Sequence, residues 1–299
     1  MLNQRNAGRR LFIFLSCLMV ASLFVFFLAP AMAADNFNYF ATLQERLIAD
    51  GFDKNVIQQI YSRPEVTFET KGISLYFIHH ESKVRYEQYT EKQLIKRARA
   101  YLQKYEGELA EAKSTYGVEP EVVTAIILIE SQFGKLLGNR SVINTLSTMA
   151  SLFDPEVREL LWKKISDTPE LDRATFEKKA DGKAKWAYRE LKAFLNHVNR
   201  EGFDPIGING SFAGAMGISQ FMPSNIPELA KDGNGDGRID LFDHADAIAS
   251  IAYFLKRHGW RPGIDRAKAE KVIYHYNHSD RYVEAVLKIS EILKGVKWT

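Results

Sequence analysis

Residues 122–133, VVTAIILIESQF, contain one charged residue, Glu130. A helix apolar on nearly every face has to be buried, so the rest of the chain must be able to wrap around this segment. A carboxylate carried inside is costly unless it has a partner or a use. Ile126 and Ile127 lie one helical turn before Glu130 and Phe133 one turn after, so its neighbours on the helix are apolar. Desolvation of that kind raises a carboxyl pKa and holds the proton on near neutrality, as a general acid requires. The segment alone is equally compatible with a structural glutamate paired to a lysine or held by backbone amides.

Helical periodicity continues through most of the chain. Phe40, Leu43, Leu47 and Ile48 recur at helical spacing before Asp50-Gly51. Asp53 caps a short helix expected to run to Ile60, with Pro64 beyond it. Thr90 with Gln93 resembles a capping box, predicting one long helix to Tyr116. Gly117 ends it, and Glu119-Pro120 opens the apolar helix. Amphipathic stretches at 162–165 and 186–198 flank an expected loop at Asp181-Gly182, and further helices are expected at 246–258 and 281–293. Residues 66–77 are the best strand candidate. The fold class is mainly α.

The first 33 residues are organised differently. Arg5, Arg9 and Arg10 precede an apolar run over 11–28, followed by Pro30 and Ala31-Met32-Ala33. That order reads as a secretory signal peptide cut after Ala33, with an uncleaved membrane anchor as the alternative. Cys17, the single cysteine, lies inside it, so a processed chain has no thiolate metal site and no disulfide. Removing three arginines also leaves 37 basic residues against 37 acidic ones, so the net charge of +3 belongs to the export segment. No basic patch marks a nucleic-acid binder.

Three further stretches carry candidate chemistry. Residues 207–224, GINGSFAGAMGISQFMPS, are rich in glycine and small residues, which permits close backbone approach to a ligand or tight packing. Ser211 and Gln220 offer polar groups there. Residues 232–243, DGNGDGRIDLFD, match an EF-hand calcium loop through position 9, with oxygen donors at 1, 3 and 5 and glycine at 6. Position 12 is Asp243, and Asp246 is an alternative closing carboxylate. One isolated loop suits a structural clamp better than a sensor. In residues 274–282, YHYNHSDRY, Tyr276, Asn277 and Tyr282 could present rings and polar tips to a sugar, or be core. His79-His80-Glu81 and the histidines near 275–278 lack an HExxH pattern and read as surface residues. There is no G-x-S-x-G elbow.

Taken in order, Glu130-Ser131 with Phe133-Gly134, then SFAGAMGISQFMPS, then the calcium-type loop ending in LFDHADAIASIAYFLKRHGW, then YNHSDRYVEAV, the chain resembles the lytic murein transglycosylases of the B type. The resemblance spans roughly residues 116–287. It departs at Ser131-Gln132-Phe133, where the B type commonly has Thr and a larger aromatic. Only fifteen residues separate Trp260 from Tyr276, short for the small β subdomain some members carry there. Residues 154–192 match too weakly to transfer sugar contacts.

The resemblance implies a lysozyme-like α fold, with a helical region over 34–115 and a catalytic domain over 116–299. That domain would carry a helical insertion near 154–200 and the calcium-type loop at 232–246. It implies that Glu130 is the single acid/base, protonating the glycosidic oxygen between N-acetylmuramic acid and N-acetylglucosamine. The same carboxylate then takes the proton of the muramic acid C6 hydroxyl as a 1,6-anhydro ring closes. Ordinary glycosidases need two carboxylates, and no second acid is evident near Glu130 in the sequence. Ser211, Gln220, Tyr276 and Tyr282 match the family's substrate-contacting positions, and Asn277 shares their motif. Asp232, Asn234, Asp236, the Arg238 carbonyl and Asp246 match its structural Ca2+ ligands, which favours Asp246 over Asp243. The expected partner is peptidoglycan, and the expected state a periplasmic monomer. The rival expectations are a muramidase that uses water on the same fold and a non-catalytic glycan binder.

Overall fold

The computed structural model describes residues 38–70, 73, 85–167 and 171–295. The export segment expected over 1–33 lies outside the described residues, as do His79-His80-Glu81 and most of the strand candidate at 66–77. Its described part is irregular over 66–70 and helical at Ile73.

Twelve α-helices occur among the described residues. They are α1 (Ala41–Ala49), α2 (Lys54–Tyr61), α3 (Lys92–Lys104), α4 (Glu106–Tyr116), α5 (Pro120–Ser131), α6 (Val142–Ala150), α7 (Pro155–Ile165), α8 (Arg173–Glu201), α9 (Ile226–Leu229), α10 (His244–Arg257), α11 (Arg266–Tyr276) and α12 (Asp280–Lys294). Two short antiparallel strands, β1 (Arg140–Ser141) and β2 (Asn209–Gly210), pair Arg140 with Gly210 and Ser141 with Asn209. None of the described helices is long and apolar enough to cross a membrane.

Helix α5 lies at the centre. Residues Val122 to Ile129 are all buried, and α12 packs along it most extensively. Its valines and isoleucines are poor helix formers in isolation, because β-branching restricts them against the preceding turn. Burial decides the matter instead, since each such side chain contributes about 1.5–3 kcal/mol when fully removed from water. Gly117, at φ +75°, closes α4 in the left-handed conformation, and Pro120 starts α5 with a preset φ. Glu119 does not cap the helix with its side chain. Its carboxylate accepts the Trp260 indole N–H at 2.9 Å, which ties the start of α5 to the segment after α10.

The structure corrects two helix boundaries. The long helix expected from Thr90 to Tyr116 is two helices, broken at Tyr105. Thr90 caps nothing: residues Tyr86–Thr90 form a 3-10 turn, and the Thr90 hydroxyl donates to the Glu87 carbonyl at 2.8 Å. The loop expected at Asp181-Gly182 is helical, lying inside the 29-residue α8. Gly182 faces open space, while Phe176, Ala180, Ala184 and Ala187 on the other face are buried. One glycine costs a helix about 1 kcal/mol, less than that buried face contributes.

Candidate active site

Glu130 is the penultimate residue of α5 and, unlike the eight residues before it, is only partly buried. Its Oε1 accepts a hydrogen bond from the Tyr282 hydroxyl at 2.6 Å. Tyr282 sits in the first turn of α12, where the Ser279 hydroxyl caps the helix by accepting the Tyr282 N–H at 3.3 Å. The Tyr282 ring is 1% exposed. Tyr276, the last residue of α11, lies parallel to it, with ring planes 5° apart and centroids 6.4 Å apart. The Tyr276 hydroxyl donates to the Ser219 carbonyl at 2.6 Å.

Burial pushes both phenols well above their ordinary pKa, and the negative charge of Glu130 adds to the shift. They therefore stay protonated, and Tyr282 is a permanent donor to the carboxylate. Tyr89 is raised by the same two causes, which places it in the electrostatic reach of Glu130. Tyr86 sets its ring edge against Tyr282 with centroids 5.9 Å apart. The negative charge of Glu130 acts on Tyr89 and Tyr276 alike. The Glu130 carboxylate thus sits beside a group of tyrosines.

Tyr86 and Tyr89 were not anticipated from sequence. They come from the 3-10 turn before α3, more than thirty residues from α5. The one local signal is the Tyr-x-x-Tyr spacing, which in a 3-10 turn aligns both rings on one side.

The end of α5 is set by three consecutive residues. The Ser131 hydroxyl donates to the Ile218 carbonyl at 2.9 Å and accepts the Gly134 N–H at 3.1 Å. Gln132 and Phe133 then adopt left-handed backbone, at φ 48° and 66°. Non-glycine residues held this way cost on the order of 1–3 kcal/mol each, and such strain persists only where the surroundings enforce it.

The glycine-rich stretch packs against protein. A Cβ at Gly210 would meet the Ala215 carbonyl oxygen at 2.3 Å, and one at Gly217 would meet Leu241 at 2.5 Å. These glycines let the backbone fold back on itself and onto the calcium-type loop. Ser211 is bound within its own turn, its Oγ accepting the N–H groups of Ala213 and Ala215 at 3.2 and 3.1 Å. Gln220 is left-handed at φ 50°, and its amide nitrogen donates to the Gly217 carbonyl at 2.8 Å. Ser219 and Gln220 are joined to the tyrosine pair through the Tyr276 bond. Ser211 and Asn277 share no hydrogen bond with Glu130; Asn277 ends α11 in extended backbone.

In the calcium-type loop, the Asp232 carboxylate accepts N–H groups from Gly235, Asp236 and Gly237. Asn234 accepts from Asp236, and Asp236 from Arg238. Asp243 is the N-cap of α10, accepting from Ala245 and Asp246. Asp246 is 1% exposed and accepts the N–H groups of Gly233 at 2.8 Å and Asp240 at 2.7 Å. Burial raises its pKa, against the lowering by these amides. The donor chemistry suits a hard cation: the side chains offer oxygen ligands, and the buried Asp246 carboxylate has no cationic partner among the described residues. Among the described residues, no three carboxylates or histidines are gathered closely enough to hold a metal, because each side chain is folded onto backbone amides. Glu201, at the end of α8, anchors the loop's second half. Its carbonyl accepts from the Arg238 guanidinium, and its carboxylate accepts the Ile239 N–H at 3.2 Å.

Helices wrapped around a central acid-bearing helix, with one short ladder beside it, define a lysozyme-like transglycosylase fold. The profile of the transglycosylase SLT domain family matches residues 36–270, and the chain belongs to that family. Membrane-bound lytic murein transglycosylase B of Escherichia coli (strain K12) is 35% identical over 159 residues, covering 53% of this chain and 37% of that protein. The chain therefore spans well under half of that relative's length. The Escherichia coli lytic transglycosylase SLT35 in complex with calcium is 24% identical, with a TM-score of 0.67 over 87% of this chain and 93% of that one. SltB3 from Pseudomonas aeruginosa in complex with NAG-anhNAM-pentapeptide is 21% identical, with a TM-score of 0.67 over 85% of this chain and 78% of that one. At these identities the likeness to both structures concerns the fold.

Proposed function

We propose that this chain is a peptidoglycan lytic transglycosylase that cleaves the β-1,4 bond between N-acetylmuramic acid and N-acetylglucosamine without water. The observation that carries the reading is the Glu130 carboxylate, half-buried and bonded to a tyrosine that burial keeps protonated. A two-carboxylate hydrolysis would need a second acid flanking the bond, and Glu130 is the one charged residue in 122–133. The names of the E. coli relative and of the SltB3 complex agree with this substrate and product.

Glu130 gives its proton to the glycosidic oxygen as the bond to the muramic acid C1 breaks. Tyr282 then stabilises the carboxylate formed, because a hydrogen bond to a charged oxygen is stronger than one to a neutral carboxyl. The muramic acid C6 hydroxyl attacks C1, and its proton returns to Glu130. The ring that closes takes the place of water, and the enzyme ends in its starting protonation state. In this reading Ser211, Gln220, Tyr276 and Asn277 line the sugar site. Calcium, bound by Asp232, Asn234, Asp236, the Arg238 carbonyl and Asp246, would brace the loop packed against Gly217 without entering the chemistry. The enzyme would act outside the cytoplasm, as the membrane-bound relative's name suggests.

The test is release of soluble fragments from purified sacculi. Wild type releases them and Glu130→Gln does not; equal release by both would end the proposal.

A further inference from the structure

The strained turn after Glu130 is gripped from one face of α3. Arg97 and Tyr101 are one helical turn apart and therefore project side by side. The Arg97 guanidinium donates to the Gln132 side-chain oxygen at 3.1 Å and to the Gln132 carbonyl at 2.8 Å. It also lies 5.5 Å from the centre of the Phe133 ring. Tyr101 stacks on Phe133 with centroids 4.7 Å apart. Arg97 is partly buried and, among the described residues, forms no ion pair; two of its N–H groups bond this turn. A partly buried guanidinium committed to a neutral peptide group gives up solvation for that contact.

The consequence for Glu130 is geometric. Gln132 and Phe133 are the two consecutive left-handed residues in the described chain outside glycine, and they begin two positions after the acid. Their N–H groups close the last turn of α5, Gln132 onto the Leu128 carbonyl and Phe133 onto the Ile127 carbonyl. Without the grip, right-handed backbone is favoured at both positions. The helix would then continue past Ser131, pulling its hydroxyl off the Ile218 carbonyl and turning the acid relative to Tyr282.

We propose that Arg97 is a positioning residue for Glu130, acting through the left-handed Gln132–Phe133 turn. This rests on Glu130 being the acid. Neither lysine nor alanine can replace the planar fork that reaches both Gln132 oxygens.

The experiment measures kcat and KM per folded molecule on a soluble peptidoglycan glycan oligomer, with thermal melting of every variant. Arg97→Ala and Arg97→Lys are expected to lower kcat about tenfold or more with KM little changed, since small misplacement of a reacting group is costly. Gln132→Gly accepts the left-handed conformation at no steric cost. The Arg97→Ala, Gln132→Gly double variant should therefore recover most of the lost kcat, which a merely structural role for Arg97 would not produce. If Arg97→Ala folds poorly, Arg97→Lys and the double variant carry the test. Wild-type kcat in the Arg97 variants, while Glu130→Gln is inactive, would overturn the inference and leave the role of Glu130 intact. So would a folded double variant with no recovery. Full activity in Glu130→Gln would instead remove the reading on which the inference stands.

Discussion

Replacing Tyr282 by phenylalanine removes one oxygen from the site and leaves the packing almost unchanged. The ring keeps its parallel neighbour Tyr276 and the edge contact of Tyr86. What is lost is the 2.6 Å bond to Glu130 Oε1. Hydrogen bonds to charged groups contribute about 1.5–3 kcal/mol and neutral ones about 0.5–1.5 kcal/mol. Only the difference between them acts on the rate, because in the proposed mechanism the bond strengthens as Glu130 loses its proton and becomes charged. That difference is about 1–2 kcal/mol, so kcat should fall roughly 5- to 30-fold with KM nearly constant. Tyr276→Phe is the control. Its hydroxyl serves the Ser219 carbonyl, so its loss loosens the Gln220 loop and should appear mainly in KM. Steady-state kinetics on a soluble glycan oligomer measures both. Wild-type kcat in Tyr282→Phe, or a larger kcat loss in Tyr276→Phe, would refute the assigned role.

Other outcomes follow from the same coordinates. His197 is 3% exposed, neither ring nitrogen has a partner, and burial lowers its pKa from 6.5 to about 4. The unfolded chain takes up that proton more readily, so stability is full above about pH 6.5 and declines as pH falls toward 4, by on the order of 3 kcal/mol. Urea unfolding of His197→Leu should show a flatter dependence across that window; an unchanged slope would discount the histidine. Calcium should raise the melting temperature in wild type but not in Asp246→Asn, and equal behaviour with chelator would remove the metal from the account. Gly138→Ala should destabilise the fold by about 2 kcal/mol or more, because a Cβ there would meet the Gly210 carbonyl oxygen at 1.9 Å at a φ of +89°. An unshifted melting curve would contradict the tight β1–β2 approach.

The candidate residues that stand out in the chain are those whose signals are local. A single charge inside an apolar helix pointed to Glu130, and the Asp/Gly spacing pointed to the loop at 232–246. Asp53 was recognisable as a cap, and it accepts the Val56 N–H at 2.9 Å. The errors arose where distant packing outweighs a local rule. Gly182 looks like a break, yet the buried alanines on the opposite face of α8 keep the helix intact. Thr90 looks like a cap, yet its hydroxyl serves the preceding 3-10 turn. The glycines at 210 and 217 fit either close approach to a ligand or tight packing, and packing against backbone and Leu241 is what the structure has. Tyr86, Tyr89 and Arg97 escaped notice because their importance comes from touching residues far along the chain, which no spacing rule records.

The most direct measurement is digestion of sacculi in oxygen-18 water, followed by mass spectrometry of every newly made glycan end. Intramolecular ring closure predicts anhydro termini with no heavy oxygen in wild type and no new termini in Glu130→Gln. Reducing termini carrying heavy oxygen would mean that water, not the sugar's own hydroxyl, completes the reaction.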